Sequence, residues 1–418
     1  MIPSLPSRGK QLLESPFIWL KEKAEMDRKR TGVPSNMWYV QGKIYDLSKF
    51  LKEHPGGENF LKLTQGQDIT EMYYAHHLNL DKCQAILNKY YVREADRVQQ
   101  YFNFDQNGFY RTLHRRVGDY FKVRDKGPSL SMKLTVISVL FAFCLTFGLT
   151  CLYQSFWWAL LCGYTLFVCF GIAHNFMHQG PKQPLRYMSD LLFFSHYHWV
   201  ITHCISHHHY PNSNIDFEMT SMEPFYITTK SRLPNNRFLP YYINIVFGFI
   251  STLQFISTII QIIKGEEQLR KEYLIPVIEY IIIYSFCLDG ALAFKLFMAI
   301  QCFASFLSLK YPLIIHRNNF NYSDGSTIQP SNDYGIYVIQ TTTDHDLWIQ
   351  FPLNMFLFQS FNHHILHHMF PTVDESRIPE IHHILEQTLK DFNLQHILKK
   401  YSFLELYKSH NELILEKS

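Results

Sequence analysis

The chain has 418 residues, with 39 Lys and Arg against 36 Asp and Glu, a formal charge of +3 that argues against nucleic acid as a partner. Aromatic residues make up 16% and charged residues only 18%, below the roughly 25% of an ordinary soluble domain, so disorder and a fully hydrated surface are both excluded. The 22 histidines are clustered, and clusters of a metal-ligating residue need a chemical reason.

The N-terminal thirty residues contain no apolar core followed by a small-residue cleavage site, so no cleaved secretory signal is expected and the N-terminus is expected in the cytosol. Eight cysteines show no CxxC pair. Cys144, Cys151, Cys162, Cys169 and Cys302 lie in apolar runs and read as small buried hydrophobes.

Residues 30–97 read as a small mixed module. Trp38–Val40 and Lys43–Tyr45 flank the Gln41-Gly42 turn as short strands, and residues 46–54 (DLSKFLKEH) read as a short amphipathic helix with an Asp cap. The HPGG at His54–Gly57, the GQDIT at Gly66–Thr70 and the YYAHH that follows resemble the cytochrome b5 fold over about 60 residues. That resemblance implies a haem b with His54 as one axial ligand. The family's usual position, nine residues after Asp68, selects His77 for the other, with His76 the second choice. Two axial imidazoles leave iron no open position, so this haem would pass electrons and not bind oxygen.

Composition shifts near residue 132. Residues 133–153 and 156–173 are nearly uncharged runs of about the 20 residues that a bilayer crossing needs. Seven Lys and Arg against Asp119 and Asp125 between Arg111 and Lys133 put the start of the first span on the cytosolic side. Further apolar pieces cover 240–263, 274–288 and 291–314. The middle one, short and carrying a Pro and a Glu, is expected to be only partly inserted, with the loop 264–272 in the lumen. Residues 316–418 return to mixed composition and predict a cytosolic helical cap.

Three histidine clusters accompany these spans. Box one is His174 with His178; box two is His203, His207 and His208, followed by His209; box three is His364, His367 and His368, preceded by His363. Each contains an i,i+4 pair, which places two imidazoles on one helix face. Eight imidazoles are too many for one metal and suit two, and imidazole binds iron, zinc and copper alike. The spacings HxxxH, HxxxHH and HxxHH, interleaved with apolar hairpins and closed by HHMFPT at His367–Thr372, resemble the membrane fatty acid desaturase and hydroxylase superfamily over residues 130–390.

Together the two resemblances imply an N-terminal α+β cytochrome b5-like domain followed by an all-α integral membrane desaturase-type domain, with four transmembrane helices and a cytosolic histidine-rich cap. They imply two non-haem Fe ions on the eight box histidines, a lipid or acyl-CoA substrate, NADH-cytochrome b5 reductase as partner, and a multi-pass protein of the endoplasmic reticulum membrane with both termini cytosolic. Acyl-chain desaturation leads. A hydroxylase, a membrane-anchored electron carrier with an inactive desaturase domain, and a zinc hydrolase built on the same boxes remain open. Box one has Asn175 and Met177 where many desaturases read HDxGH. Front-end desaturases usually begin box three with Gln; here His364 stands there, with Gln359 upstream. His316, at the end of the last span, is either an extra metal ligand or a capping residue. His345 and the pairs His196/His198 and His382/His383 are expected in supporting or surface roles, and Lys310 and Tyr311 near a headgroup.

Overall fold

The computed structural model describes residues 2–8, 14–180, 183–221, 239–316 and 330–416. An N-terminal helix, Pro16–Thr31, is capped by Ser15, whose side chain accepts from the Phe17 backbone N–H, and it ends at Gly32 in the left-handed conformation. Its buried face carries Lys23, Asp27 and Arg30 alongside Trp19, Leu20 and Ala24. Arg30 reaches Asp27 at 3.0 Å and Asp68 at 2.7 Å, and Lys23 pairs with Asp27. Asp68 also accepts from the Thr70 backbone N–H and hydroxyl, so the Gly-Gln-Asp motif anchors the helix to the module that follows. Removing one partner of such a buried ion network would leave an uncompensated buried charge.

The module itself is a three-stranded antiparallel sheet, β1 (Trp38–Val40), β2 (Lys43–Tyr45) and β3 (Tyr91–Glu94), with short helices over Glu58–Leu63, Thr70–His76 and Leu80–Leu87. The stretch 46–54 departs from the expected amphipathic helix, since only a single 3-10 turn, Leu51–Glu53, forms. Asp46 spends its side chain on the Ser48 backbone N–H at 3.0 Å, closing a local turn that competes with helix.

Among the described residues, four helices are long and apolar enough to cross a membrane: Leu130–Tyr153, Phe156–Met177, Tyr242–Ile263 and Gly290–Ile315. The first two form a hairpin through Gln154 in the left-handed conformation and the Ser155 cap. Leu134, Ile137, Phe141, Leu145 and Leu152 of the first helix stay exposed, and so do Ile245, Phe249, Ile256 and Ile260 of the third. Apolar faces of this extent need lipid to cover them. Cys144 stands on this exposed face, against the expectation that it is buried, and Cys302 is only half-buried; all eight cysteines are free.

The piece at 274–288 is a 13-residue helix, Ile275–Cys287, too short to cross on its own. The loop before it is the main departure from the expected topology. Glu267 lies 3.4 Å from the Ser15 hydroxyl and 3.2 Å from His198, and the Arg270 guanidinium sits 3.6 Å over the Tyr197 ring. The loop 264–272 is therefore on the same side as Ser15, not across the membrane from it. Its balanced charges gave the positive-inside bias nothing to act on. At the far end of Ile275–Cys287, Gln154 donates to the Phe286 carbonyl at 3.2 Å, which sets that end beside the turn of the first hairpin.

The C-terminal cap consists of helices Tyr334–Thr341, Leu353–Phe358, His364–Met369, Ile378–Asp391 and Phe403–Glu416, with Asp344–His345 pairing Lys400–Tyr401 in parallel. It packs on the helix Phe109–Lys122, which links the N-terminal module to the first span: Tyr110 donates to the Met369 carbonyl at 3.3 Å, and Arg116 meets Asp391 at 2.6 Å.

Candidate metal and haem centres

Box one closes the second span. Box two lies on a π-helical segment, Val200–His207, after the single turn His196–Trp199. There the His208 N–H bonds to the His203 carbonyl, an i→i+5 step, which also brings His208 beside His203, with ring centroids 4.5 Å apart. His203 and His207 keep the expected i,i+4 arrangement, their rings stacked at 5.4 Å, as do His174/His178 and His364/His368.

The eight box histidines and His316 divide into two buried groups. One contains His174, His178, His203, His208 and His367; the other contains His207, His316, His364 and His368. Each adjacent pair, His207/His208 and His367/His368, sends one ring to each group. In the first group, His174 Nε2 lies 2.7 Å from His203 Nε2, His208 Nε2 3.0 Å from His203 Nε2, and His367 Nε2 3.2 Å from His174 Nε2. In the second, His316 Nε2 lies 3.0 Å from His207 Nε2 and 2.7 Å from His364 Nε2, and His368 Nε2 lies 3.1 Å from His364 Nε2.

Carboxylates orient several of these rings from behind. Glu375 accepts from His174 Nδ1, Glu218 from His203 Nδ1 and Asp216 from His207 Nδ1, each at 2.9 Å. An Nδ1–H fixed on a carboxylate leaves Nε2 as a bare lone pair. Two such lone pairs facing each other repel, and a cation between them removes the conflict. The donor set therefore fits a metal in each group. Burial, and after it the neighbouring imidazoles, holds His208, His316, His364, His367 and His368 well below the ordinary histidine range, which keeps them in the neutral form that binds metal.

None of these carboxylates stood out in the sequence. Their only signal was position, in the acidic stretches Asp216–Glu218 and Asp374–Glu375 that follow boxes two and three. Asn175 also finds its partner there, donating to Asp374 at 2.8 Å and accepting from the Glu375 N–H at 3.2 Å, so it ties box one to the loop after box three. Gln359 joins neither group. It donates to the Phe167 carbonyl at 2.6 Å and packs against Gly171. His196 pairs with Asp190, His198 with Glu267, and His345 with Tyr311 and Asp346. Lys310 is held by Asn244.

In the N-terminal module the ring centroids of His54 and His77 are 6.1 Å apart. Two imidazole–metal bonds of about 2 Å each, with Nε2 facing Nε2, give nearly that separation. His54 Nδ1 bonds the Gly57 carbonyl at 3.0 Å and His77 Nδ1 the Tyr73 carbonyl at 2.8 Å, which leaves both Nε2 atoms for a ligand. A Cβ on Gly56 would come within 2.9 Å of the His54 ring, and Gly57 has φ of 87°, so both glycines are required. Burial lowers His77 to about 4 and His76 to about 3. His76 sets its Nδ1 on the Met72 carbonyl at 3.2 Å. Its ring centroid lies 5.4 Å from that of His209, which follows His208 in the first metal group.

A cavity of roughly 140 Å³ opens beside the second group. Phe170, Phe193, Phe194, Trp199, Phe255 and Leu313 line it, together with His203 of the first group and His316 and His364 of the second.

A family model described as "Fatty acid desaturase" matches residues 152–399, and another described as "Cytochrome b5-like Heme/Steroid binding domain" matches residues 22–96. The chain belongs to the fatty acid desaturase family and carries a cytochrome b5-like domain at its N-terminal end. It is 27% identical to a "Cytochrome b5-related protein" of Drosophila melanogaster, over 93% of this chain and 89% of that one. It is 23% identical to a "Probable Delta(5) fatty acid desaturase C" of Dictyostelium discoideum, over 97% and 96%. It is 22% identical to an "Acyl-lipid (8-3)-desaturase" of Mortierella alpina, over 89% and 92%. No solved structure matches the chain.

Proposed function

We propose that the protein is an O2-dependent acyl-chain desaturase of the endoplasmic reticulum membrane, with its N-terminus and cap cytosolic and its electrons drawn from an NADH-dependent reductase. The observation that carries this reading is the juxtaposition of three features: two groups of buried imidazoles, a largely apolar cavity lined in part by His203, His316 and His364, and a facing pair, His54 and His77, in a module whose His76 lies against His209. In the overall reaction a –CH2–CH2– unit, O2, two electrons and two protons give –CH=CH– and two waters.

The haem, when bound, supplies electrons singly, and iron in the two histidine groups supplies O2 activation and the power to oxidise an unactivated CH2. The rest falls to the chain. His174, His178, His203, His208 and His367 would hold one iron, and His207, His316, His364 and His368 the other. Glu375, Glu218 and Asp216 fix the tautomer and direction of three of these rings. The aromatic walls of the cavity exclude water and align the acyl tail, so the methylene to be oxidised is chosen by depth of insertion. His54 and His77 would hold the haem, and the His76–His209 contact joins the haem module to the residue that follows His208.

Lipid profiling of cells expressing the wild-type chain tests this directly, with the His208→Ala/His368→Ala variant as control. An acyl species with two hydrogens fewer supports desaturation. A species with one added oxygen assigns hydroxylation instead. No new species from protein that carries its non-haem iron removes the enzyme reading.

A further inference from the structure

Asp344, His363 and His382 form a third convergence of ligand atoms, which neither the desaturase reading nor the haem module uses. One donor atom from each lies within 4.8 Å of the others. His382 Nδ1 is 3.9 Å from Asp344 Oδ2, and the His363 and His382 ring centroids are 5.3 Å apart. Asp344 and His363 are buried, and the His382 side chain is 13% exposed, which leaves one narrow approach from solvent.

These atoms are left unpaired where pairing matters most. Asp344 commits Oδ1 to the Ile365 N–H at 2.9 Å, while among the described residues its Oδ2 has no hydrogen-bond partner and neither nitrogen of His363 has one. His382 has Asp344 at 3.9 Å on one side and Glu386 at 3.6 Å on the other, and Glu386 is already engaged by Lys400 at 2.9 Å. A buried carboxylate oxygen and a buried imidazole without partners each keep an uncompensated desolvation cost. Two such groups with their ligand atoms within 4.8 Å of each other, and a third ring beside them, have the donor set of a three-ligand metal site.

We propose that Asp344, His363 and His382 bind a third, mononuclear metal, a divalent ion of the zinc or ferrous class. Two imidazoles and one carboxylate suit these ions, with a fourth position reachable by water along the His382 edge. The site joins the strand at Asp344–His345, the helix Ile378–Asp391 and the residue immediately before His364. It thus fixes the start of the helix that carries box three. It depends neither on the activity nor on the metal content of the two larger groups.

The test is elemental analysis of the full-length protein purified with its haem and supplied with iron and zinc. Expected are three non-haem metals per haem in the wild type, and two in Asp344→Asn and in His382→Gln, with the haem spectrum unchanged in both. A wild-type ratio that both variants leave unchanged overturns the proposal, whether that ratio is two or three. If one variant fails to fold, the other decides. Failure of the two larger groups to bind metal would read differently, as a wild-type ratio of one that the same variants reduce to zero.

Discussion

His174 Nε2 and His203 Nε2 face each other at 2.7 Å while the opposite nitrogen of each ring bonds a carboxylate, Glu375 for His174 and Glu218 for His203. The carboxylates decide where the protons sit, and so make the facing nitrogens into ligands. Replacing Glu218 or Glu375 by Ala is expected to weaken non-haem iron binding by about 10- to 100-fold while leaving the haem intact. Glu→Gln, which keeps an acceptor oxygen, should lose less. Iron titration followed by elemental analysis reads the difference, and an Ala variant with wild-type affinity would remove the orienting role.

The haem site separates two neighbouring histidines. His54→Ala and His77→Ala should each abolish the b-type spectrum, whereas His76→Phe should keep it and its reduction by NADH and reductase. His76→Phe and His209→Phe should both slow delivery of electrons beyond the haem at constant non-haem iron content, measured as haem reoxidation under O2 with substrate present. A His77→Ala protein that keeps a six-coordinate spectrum would transfer the ligand role to His76.

Glu71 couples the module to box two, accepting from the Tyr210 hydroxyl at 3.1 Å. Burial, with Asp68 nearby, raises it from 4.5 to about 8, so it holds its proton at neutral pH. The folded state binds more protons than the unfolded between these values. The contribution is therefore complete below about 4.5 and is lost as pH rises through about 8. Tm should fall between pH 6 and pH 9, and Glu71→Gln should flatten that slope. An unchanged slope in Glu71→Gln would assign it elsewhere.

Two glycines in the first hairpin should respond oppositely to the same change. A Cβ on Gly171 would sit 2.7 Å from Gln359 Cβ, whereas one on Gly148 would meet nothing within 4 Å. Gly171→Ala should destabilise by about 1–3 kcal/mol, and Gly148→Ala should be neutral or stabilising by up to about 1 kcal/mol. Thermal unfolding of the detergent-solubilised protein checks both.

The contact between Glu267 and Ser15 predicts that a glycosylation acceptor inserted at Gly265 reports the same side of the membrane as one at the N-terminus, while an acceptor at Gln154–Ser155 reports the other. Modification at Gly265 without modification at the N-terminus would contradict the contact.

Much of this was legible because the ligands are short-range patterns. HPGG, the Gly-Gln-Asp landmark and the three boxes each place several histidines within one helix or turn, where spacing fixes their mutual direction. The two apolar runs of the first hairpin were equally plain, since length and hydropathy suffice for them. What stayed hidden depends on contacts between distant segments. Glu375 meets His174 across some two hundred residues. The π-helical turn in box two has no local signature, yet it is what brings His208 beside His203. The loop 264–272 followed no charge bias, because its charges are used on His198 and Tyr197. His316 was undecided between ligand and cap until the last span delivered it against His207 and His364.

The central claim is that two iron ions in these histidine groups oxidise an acyl chain with electrons that arrive through the haem of the same polypeptide. The most direct measurement supplies NADH, reductase, O2 and isotope-labelled acyl lipid to the iron-loaded protein in vesicles and follows product mass. The account predicts a product two hydrogens lighter from the wild type, and none from His207→Ala, His208→Ala, His367→Ala or His368→Ala, although the haem of each is still reduced. Turnover by any of these variants at the wild-type rate, or a wild-type protein with full iron and a reducible haem that leaves the lipid unchanged, would contradict it.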